Sequence, residues 1–360
     1  MKNWENHVRK VVPYVAGEQP KEQDVIKLNT NENPYPPAPG VGKVIQNFDC
    51  EVLRKYPDPD VSALTSALAK QYGLDRGQVF VGVGSDDVLA MSFLTFFNSG
   101  KPVLFPDITY SFYDVWADLY RIPYECQPLD EDFCIKKEDY MKPNGGIVLA
   151  NPNAPTGVMT ELAVIEEIIA ANQDVVVIVD EAYVDFDGRS CVPLIEKYDN
   201  LLVVQTFSKS RALAGMRIGY AMGSQKLIQY LKDVKFSFNS YTMNALTIAA
   251  GVEQVQRLNV SIPVDSINID GVPLGFHATI TEPEENYGIV LIGLSSELEQ
   301  IDMTALEAYV DMAAWMAAEE RTEVEDGYYR MPLAVRLPED STVTLEENWI
   351  NVHVTEQDAT

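Results

Sequence analysis

Short unbroken apolar runs alternate with helical patterns along the first 250 residues. VFVGVG (79–84), PVLF (102–105), GIVLA (146–150), VVVIV (175–179), LLVVQT (201–206) and MRIGYAM (216–222) read as strands. Runs apolar at every position suit strands covered on both faces. SDDVLAMSFLTFF (85–97) and YSFYDVWADLY (110–120) read as the helices between them. VSALTSALAKQYG (61–73) is an amphipathic helix, with Leu64, Leu68 and Tyr72 at four-residue spacing and Gly73 as its stop. Strands alternating with helices predict an α/β domain with a mostly parallel sheet. Ligands in such a domain sit at the carboxyl ends of the strands.

The pattern changes at both ends. NTNENPYPPAPG (29–40) and YPDPD (56–60) are rich in proline and cannot be regular elements, so residues 1–40 read as an arm and an entrance loop. The large domain is expected over 41–255 and a smaller α+β domain over 256–360. In the latter, 304–320 reads as a helix, and GIVLIGL (288–294) and NVHV (351–354) as strands.

Composition narrows the function. The formal net charge is −27, which argues against nucleic acid and anionic membranes as partners. A phosphate-bearing ligand would need a local cationic pocket. From Gly251 to Thr360 the chain has 22 acidic and 4 basic residues and no lysine, so the tail reads as a solvated acidic face or a segment with a separate role. The four cysteines are not in CxxC spacing and the three histidines are scattered, which supports neither a disulfide framework nor a zinc site. With no apolar signal core at the start and no run of transmembrane length, a reducing cytoplasm is the expected location.

Candidate chemistry collects at the strand ends. GVGSDD places Ser85 and Asp86 where a strand turns into a helix. Free backbone N–H groups and the helix dipole there suit an anion, although an ordinary helix cap looks the same. Asp180 closes the strand in VVVIVDEAY and could pair with a protonated ring nitrogen; Tyr183 could donate to a ring oxygen. In TFSKSRALAGMRIGY, Lys209 offers an amine for a Schiff base and Arg217 a planar fork for phosphate. Each alone reads equally well as a surface or packing residue. Together they are the groups that pyridoxal phosphate needs: a lysine for the aldehyde, a carboxylate for the pyridine nitrogen, and donors for ring oxygen and phosphate.

Residues 13–250 closely resemble the fold-type I pyridoxal-phosphate aminotransferases, and among them the histidinol-phosphate aminotransferase family. The matching stretches are PYVAGEQP, IKLNTNENPYPP, YPDP, GSDDVLA, FPDITYSFY, NPNAPTG, VDEAYVDF and TFSKSRALAGMRIGY. The resemblance implies pyridoxal 5'-phosphate as cofactor, with Lys209, Asp180 and Tyr183 as the catalytic set. Ser85, Asp86, Ser208 and Arg217 would hold the phosphate, and Tyr110 would stack on the ring. Tyr56 would reach the cofactor of a partner subunit, implying a homodimer. Tyr14, Asn31 and Asn33 would line the substrate entrance. An amine and a 2-oxo acid would be the substrates: histidinol phosphate and 2-oxoglutarate.

Two departures stand out. In NPNAPTG, Ala154 stands where the family often has an asparagine beside the ring hydroxyl, which points to Asn153 as the neighbouring donor. The family's R-[IV]-[ST]-[IV]-G stretch, whose arginine grips the substrate anion, is not found after Gly251. Arg336 in LAVRL is the candidate anchor. An aromatic aminotransferase, a phosphothreonine decarboxylase and a non-catalytic protein with a foreign tail are the alternatives.

Overall fold

The computed structural model describes residues 3–12, 27–186, 189–255, 257–282, 285–292, 301, 306–319, 321–337, 344–345 and 348–356. The chain divides into two compact units. One comprises Met1–Pro37 and Ile45–Val252, the other Ala38–Val44 and Glu253–Thr360. Tyr14 lies outside the described residues.

The larger unit is built on a seven-stranded sheet. Its strands are β1 (Val79–Gly82), β2 (Val103–Pro106), β3 (Tyr124–Gln127), β4 (Gly146–Ala150), β5 (Val177–Asp180), β6 (Leu201–Thr206) and β7 (Gly219–Gly223). Their order across the sheet is β1-β7-β6-β5-β4-β2-β3. The neighbours from β6 through β5, β4 and β2 to β3 are parallel, whereas β7 runs antiparallel to both β6 and β1. The helices of this part of the chain are α1 (Pro39–Gln46), most of which falls to the second unit, α2 (Ser62–Tyr72), α3 (Ser85–Phe96), α4 (Tyr113–Tyr120), α5 (Leu162–Ala171), α6 (Gln225–Phe238) and α7 (Ala245–Val255). The apolar runs explain the sheet: β1, β2, β5, β6 and β7 are buried at every position. Phe93 of α3, Trp116 of α4 and Ile228 of α6 share one core with Phe105, Val148 and Val204 of the strands.

Three elements start two or more residues later than their sequence patterns suggest, and VVVIV (175–179) becomes strand at Val177. MRIGYAM becomes strand only at Gly219, because 214–216 form a short 3-10 turn and Arg217 takes a left-handed backbone at φ 53°. The helix foreseen over 110–120 begins at Tyr113.

The C-terminal unit is mostly strand. Its described strands are β8 (Arg257–Pro263), β9 (Asn268–Asp270), β10 (Phe276–Ile280), β11 (Asn286–Ile292), β12 (Glu307–Asp311), β13 (Gly327–Pro332), β14 (Ala334–Arg336), β15 (Thr344–Leu345) and β16 (Trp349–Glu356). They form three three-stranded sheets, β10-β16-β13, β15-β11-β8 and β14-β12-β9. Every pairing is antiparallel except β12 with β9. GIVLIGL and NVHV fall on β11 and β16, as expected. The single helix foreseen over 304–320 is corrected: within the described residues it is strand β12 followed by helix α8 (Met312–Ala318). Ala308 and Val310 are buried two apart, which is strand periodicity. Asp311 then caps α8 by accepting the Ala314 N–H at 2.9 Å.

Candidate active site

Strand ends, turns and one helix start bring most of the sequence candidates around one cavity of about 130 Å³. Ser85, Asp86, Tyr110, Asp180, Tyr183, Ser208, Lys209 and Arg217 all line it, together with Pro152, Ala154 and Thr206.

Asp180 is the last residue of β5 and is 5% exposed. Its Oδ2 accepts from the Tyr113 hydroxyl at 2.8 Å and its Oδ1 from the Ala182 N–H at 3.2 Å. Burial raises its carboxyl to about 6 despite these donors, because desolvation penalises the charged form. The same burial drives the Tyr113 hydroxyl well above its ordinary value. A cation delivered to this floor would therefore meet a carboxylate that lacks one.

Another part of the cavity lining suits an anion. Gly84 precedes α3 with φ 86°, a conformation that favours glycine. A Cβ there would meet the Arg217 guanidinium at 2.4 Å, so the missing side chain is what lets Arg217 lie across the helix start. Arg217 Nη2 is 3.7 Å from Asp86 Oδ2, and Tyr110 donates to Asp86 Oδ1 at 2.8 Å. The helix N-terminus and the guanidinium supply local positive potential within a chain of net charge −27.

Lys209 lies in the turn after β6. Its Nζ donates to the carbonyls of Thr30 at 2.6 Å and Asn31 at 3.3 Å, and sits 5.6 Å from the centre of the Tyr183 ring. Asn31 Nδ2 donates to the Tyr183 hydroxyl at 2.8 Å, which leaves the phenolic proton available to another acceptor. Asn33 Nδ2 donates to the carbonyls of Lys209 and Ser210 at 3.0 and 3.1 Å, pinning the entrance loop to the lysine turn. Ser208 Oγ accepts from Thr206 Oγ1 at 3.0 Å.

Three candidates sit elsewhere. Asn153 does not line the cavity. Its amide donates to Ile108 O at 2.9 Å and Thr156 Oγ1 at 3.0 Å, and accepts from Thr109 Oγ1 at 2.8 Å. The side chain is consumed in bracing its own loop to the segment that carries Tyr110, and Ala154 faces the cavity instead. Tyr56 is 82% exposed, with its ring 4.7 Å from that of Tyr241. Arg336 belongs to the C-terminal unit, where Glu307 at 2.6 Å and Asp270 at 3.1 Å hold its guanidinium. The carboxylates already flank the fork that a substrate anion would need.

Sequence reasoning missed Tyr113 and Thr206. Thr206 was findable, since it is the last residue of a mostly apolar run. Tyr113 was not, because its role depends on α4 packing over β5.

Pyridoxal phosphate fits these residues: one cavity is lined by a buried carboxyl, a guanidinium beside a helix start, a lysine amine and a phenol. Beside the cavity a more open recess of about 360 Å³ shares Pro152, Ala154 and Tyr183, and adds Asn31, Asn153, Met159 and Phe186, so Asn153 lines the recess though not the cavity itself.

Comparison with known proteins gives the family. A family model described as aminotransferase class I and II matches residues 23–265. The histidinol-phosphate aminotransferase of Lactococcus lactis subsp. cremoris strain SK11 is 56% identical over 249 residues, covering 69% of this chain and 70% of that enzyme. The enzyme of that name from Clostridium botulinum strain 657 is 52% identical over 255 residues, covering 71% and 72%. Among solved structures, histidinol-phosphate aminotransferase from Sinorhizobium meliloti in complex with pyridoxal-5'-phosphate superposes with a TM-score of 0.58 at 25% identity, covering 63% of each chain. An L-threonine-O-3-phosphate decarboxylase from Porphyromonas gingivalis reaches 0.50 at 23% identity, over 60% of this chain and 67% of its own, so the fold alone does not select the reaction. The chain belongs to the class I and II aminotransferases.

Proposed function

We propose that this chain transfers the amino group of histidinol phosphate to 2-oxoglutarate, giving imidazole acetol phosphate and glutamate, a step of histidine biosynthesis. The observation that carries the reading is the gathering of Lys209, Asp180, Tyr183, Ser85 and Arg217 around one cavity. The identity to enzymes of that name supports the substrate.

Bound in the cavity, pyridoxal phosphate supplies an aldehyde that carries the amino group and a ring that accepts the electron pair released at the substrate carbon. The chain does the rest. Asp180 would pair with the ring nitrogen and keep its proton in place. Tyr183 would donate its phenolic proton to the ring oxygen. Ser85, Asp86, Ser208 and Arg217 would hold the phosphate end, and Tyr110 would cover the ring. Lys209 Nζ would hold the aldehyde and, as a neutral amine, would take a proton from the substrate carbon and return it, as base and then acid. Asn31 and Asn33 hold the entrance loop on the lysine turn, and the recess beside Ala154 and Phe186 receives the substrate's ring.

The chain works as a homodimer in which Tyr56 reaches the partner's cofactor phosphate. The exposed apolar side chains Leu53, Tyr56, Phe238 and Tyr241 support such a face. It works in the cytoplasm, a reading supported by its four free thiols. Among the described residues no helix is long and apolar enough to cross a membrane. The region after residue 255 is a module of its own, as its three small sheets and the end of the family match at residue 265 suggest.

The test is borohydride reduction of the protein loaded with pyridoxal phosphate, followed by peptide mapping. Fixation on Lys209 alone is expected. A protein that takes up no cofactor, or that is fixed at another lysine, overturns the assignment.

A further inference from the structure

Consecutive residues at a strand end face opposite sides of the sheet. Asp180 and Thr206 line the cavity, so Glu181 and Gln205 face away from it, and there they join a buried polar chain. Glu181 is 1% exposed and accepts from Ser190 Oγ at 2.6 Å, the Cys191 N–H at 2.6 Å and Gln205 Nε2 at 2.7 Å. The Tyr72 and Tyr220 hydroxyls each lie 2.6 Å from Gln205 Oε1 and 2.8 Å from each other. Arg211 Nη2 donates to the Tyr72 hydroxyl at 2.8 Å, and its Nε lies 3.4 Å from Asp185 Oδ2. Asp185 also accepts from Ser210 Oγ.

This chain closes on itself through the two segments that make the site. Glu181 lies between Asp180 and Tyr183, and Asp185 follows them two residues on. Gln205, Ser210 and Arg211 bracket Lys209. Arg211 is 8% exposed, with its guanidinium 5.0 Å from the Phe207 ring centre, so Lys209 and Arg211 leave one turn in opposite directions. The turn is closed by Ala212 N–H to Lys209 O at 3.1 Å, with Ala212 at φ 53°. A buried polar network of this size stabilises no better than apolar packing of the same volume, but it fixes geometry.

We propose that Arg211 is a positioning residue. Through Tyr72, Gln205 and Glu181 on one side and Asp185 on the other, it sets the Lys209 amine relative to Asp180 and Tyr183. The proposal rests on the aminotransferase reading above.

It is tested with Arg211→Met, Arg211→Lys and Tyr72→Phe, each loaded with cofactor, by steady-state kinetics, visible circular dichroism of the bound cofactor and thermal melting. Arg211→Met is expected to lower kcat about 10- to 100-fold, as a misplacement near 1 Å does, with KM for the amine within about 3-fold. The visible dichroism should change with it. Arg211→Lys should recover part of kcat, and Tyr72→Phe should fall between wild type and Arg211→Met. Adding Tyr72→Phe to Arg211→Met should lower kcat little further, since both cut one chain. In the cofactor-free protein, amide exchange over 207–216 should quicken in Tyr72→Phe. If the variants melt lower but keep wild-type kcat and dichroism, Arg211 only packs and the proposal is overturned. If Arg211→Met does not fold, Tyr72→Phe decides by the same readouts. If wild type binds no cofactor the functional reading fails instead, and unchanged exchange over 207–216 would then overturn the positioning claim by itself.

Discussion

Gly219→Ala tests how the anion end of the cavity is built. Gly219 opens β7 and pairs with Gly82 of β1 on one side and Thr206 of β6 on the other, so its backbone is held from both sides. A Cβ at this position would meet Gly84 C and Ser85 N at 2.2 Å and Gly84 O at 2.5 Å. These are backbone atoms of the turn that starts α3, and ordinary Cβ contacts begin at 3.4 Å. The turn must therefore move by about 1 Å, which on the proposed reading would withdraw the Ser85 N–H from a bound phosphate. Overpacking of this kind costs about 1–3 kcal/mol of stability. Losing one charge-assisted hydrogen bond adds about 1.5–3 kcal/mol to binding, or about 10- to 100-fold in Kd. The assay is titration of the cofactor-free protein with pyridoxal phosphate and, separately, with pyridoxal. Gly215→Ala is the control, because a Cβ there meets nothing within 4 Å. The phosphate ester should lose affinity and pyridoxal should lose much less. Gly219→Ala binding the ester as tightly as wild type would refute the reasoning.

Other expectations follow from the same geometry. Burial raises the Glu181 carboxyl to about 7 against an unfolded value near 4.5, so the stability linked to it is present below pH 4.5 and is lost as pH rises through 7. Glu181→Gln, which cannot ionise, should therefore gain on wild type by about 3 kcal/mol between pH 4.5 and 7.5 in denaturant melts; a constant difference would contradict this. Asn153→Ala removes the brace between its loop and the Tyr110 segment, and should weaken cofactor binding about 5- to 10-fold, more than Ala154→Asn changes it; equal affinity in wild type and Asn153→Ala would refute this. Arg336→Ala should leave kcat/KM within about 2-fold, since its guanidinium is exposed and held by two carboxylates; a loss of 10-fold or more would restore it as the substrate anchor.

Much of the large unit was legible because its signals are local. An apolar run of four to six residues ending in a polar one gives both the strand and the rim on which a ligand lies, and Asp180 and Lys209 follow such runs closely. What was hidden depends on direction or partners. Asn153 and Ala154 are neighbours in a loop, and nothing in NPNAPTG says which one faces the cavity. Nothing local marks Arg211, two residues from Lys209, as buried; it is so because Tyr72, Asp185 and Tyr220 receive it from distant segments. The stretch 304–320 misled because ALEAYVDMAAWMA fits helical and alternating periods alike, and only burial at Ala308 and Val310 separates them. The arginine motif is not found after Gly251, and the family match stops at residue 265.

Whether the cavity around Lys209 takes the amino group from histidinol phosphate is measured directly by a single half-reaction: protein loaded with pyridoxal phosphate, mixed with histidinol phosphate and no oxo acid. One equivalent of imidazole acetol phosphate per site is expected, with loss of the cofactor's yellow colour and its return on adding 2-oxoglutarate. No keto product from histidinol phosphate, with the colour lost instead on mixing with phenylalanine, or carbon dioxide released from phosphothreonine while the colour stays, would contradict this.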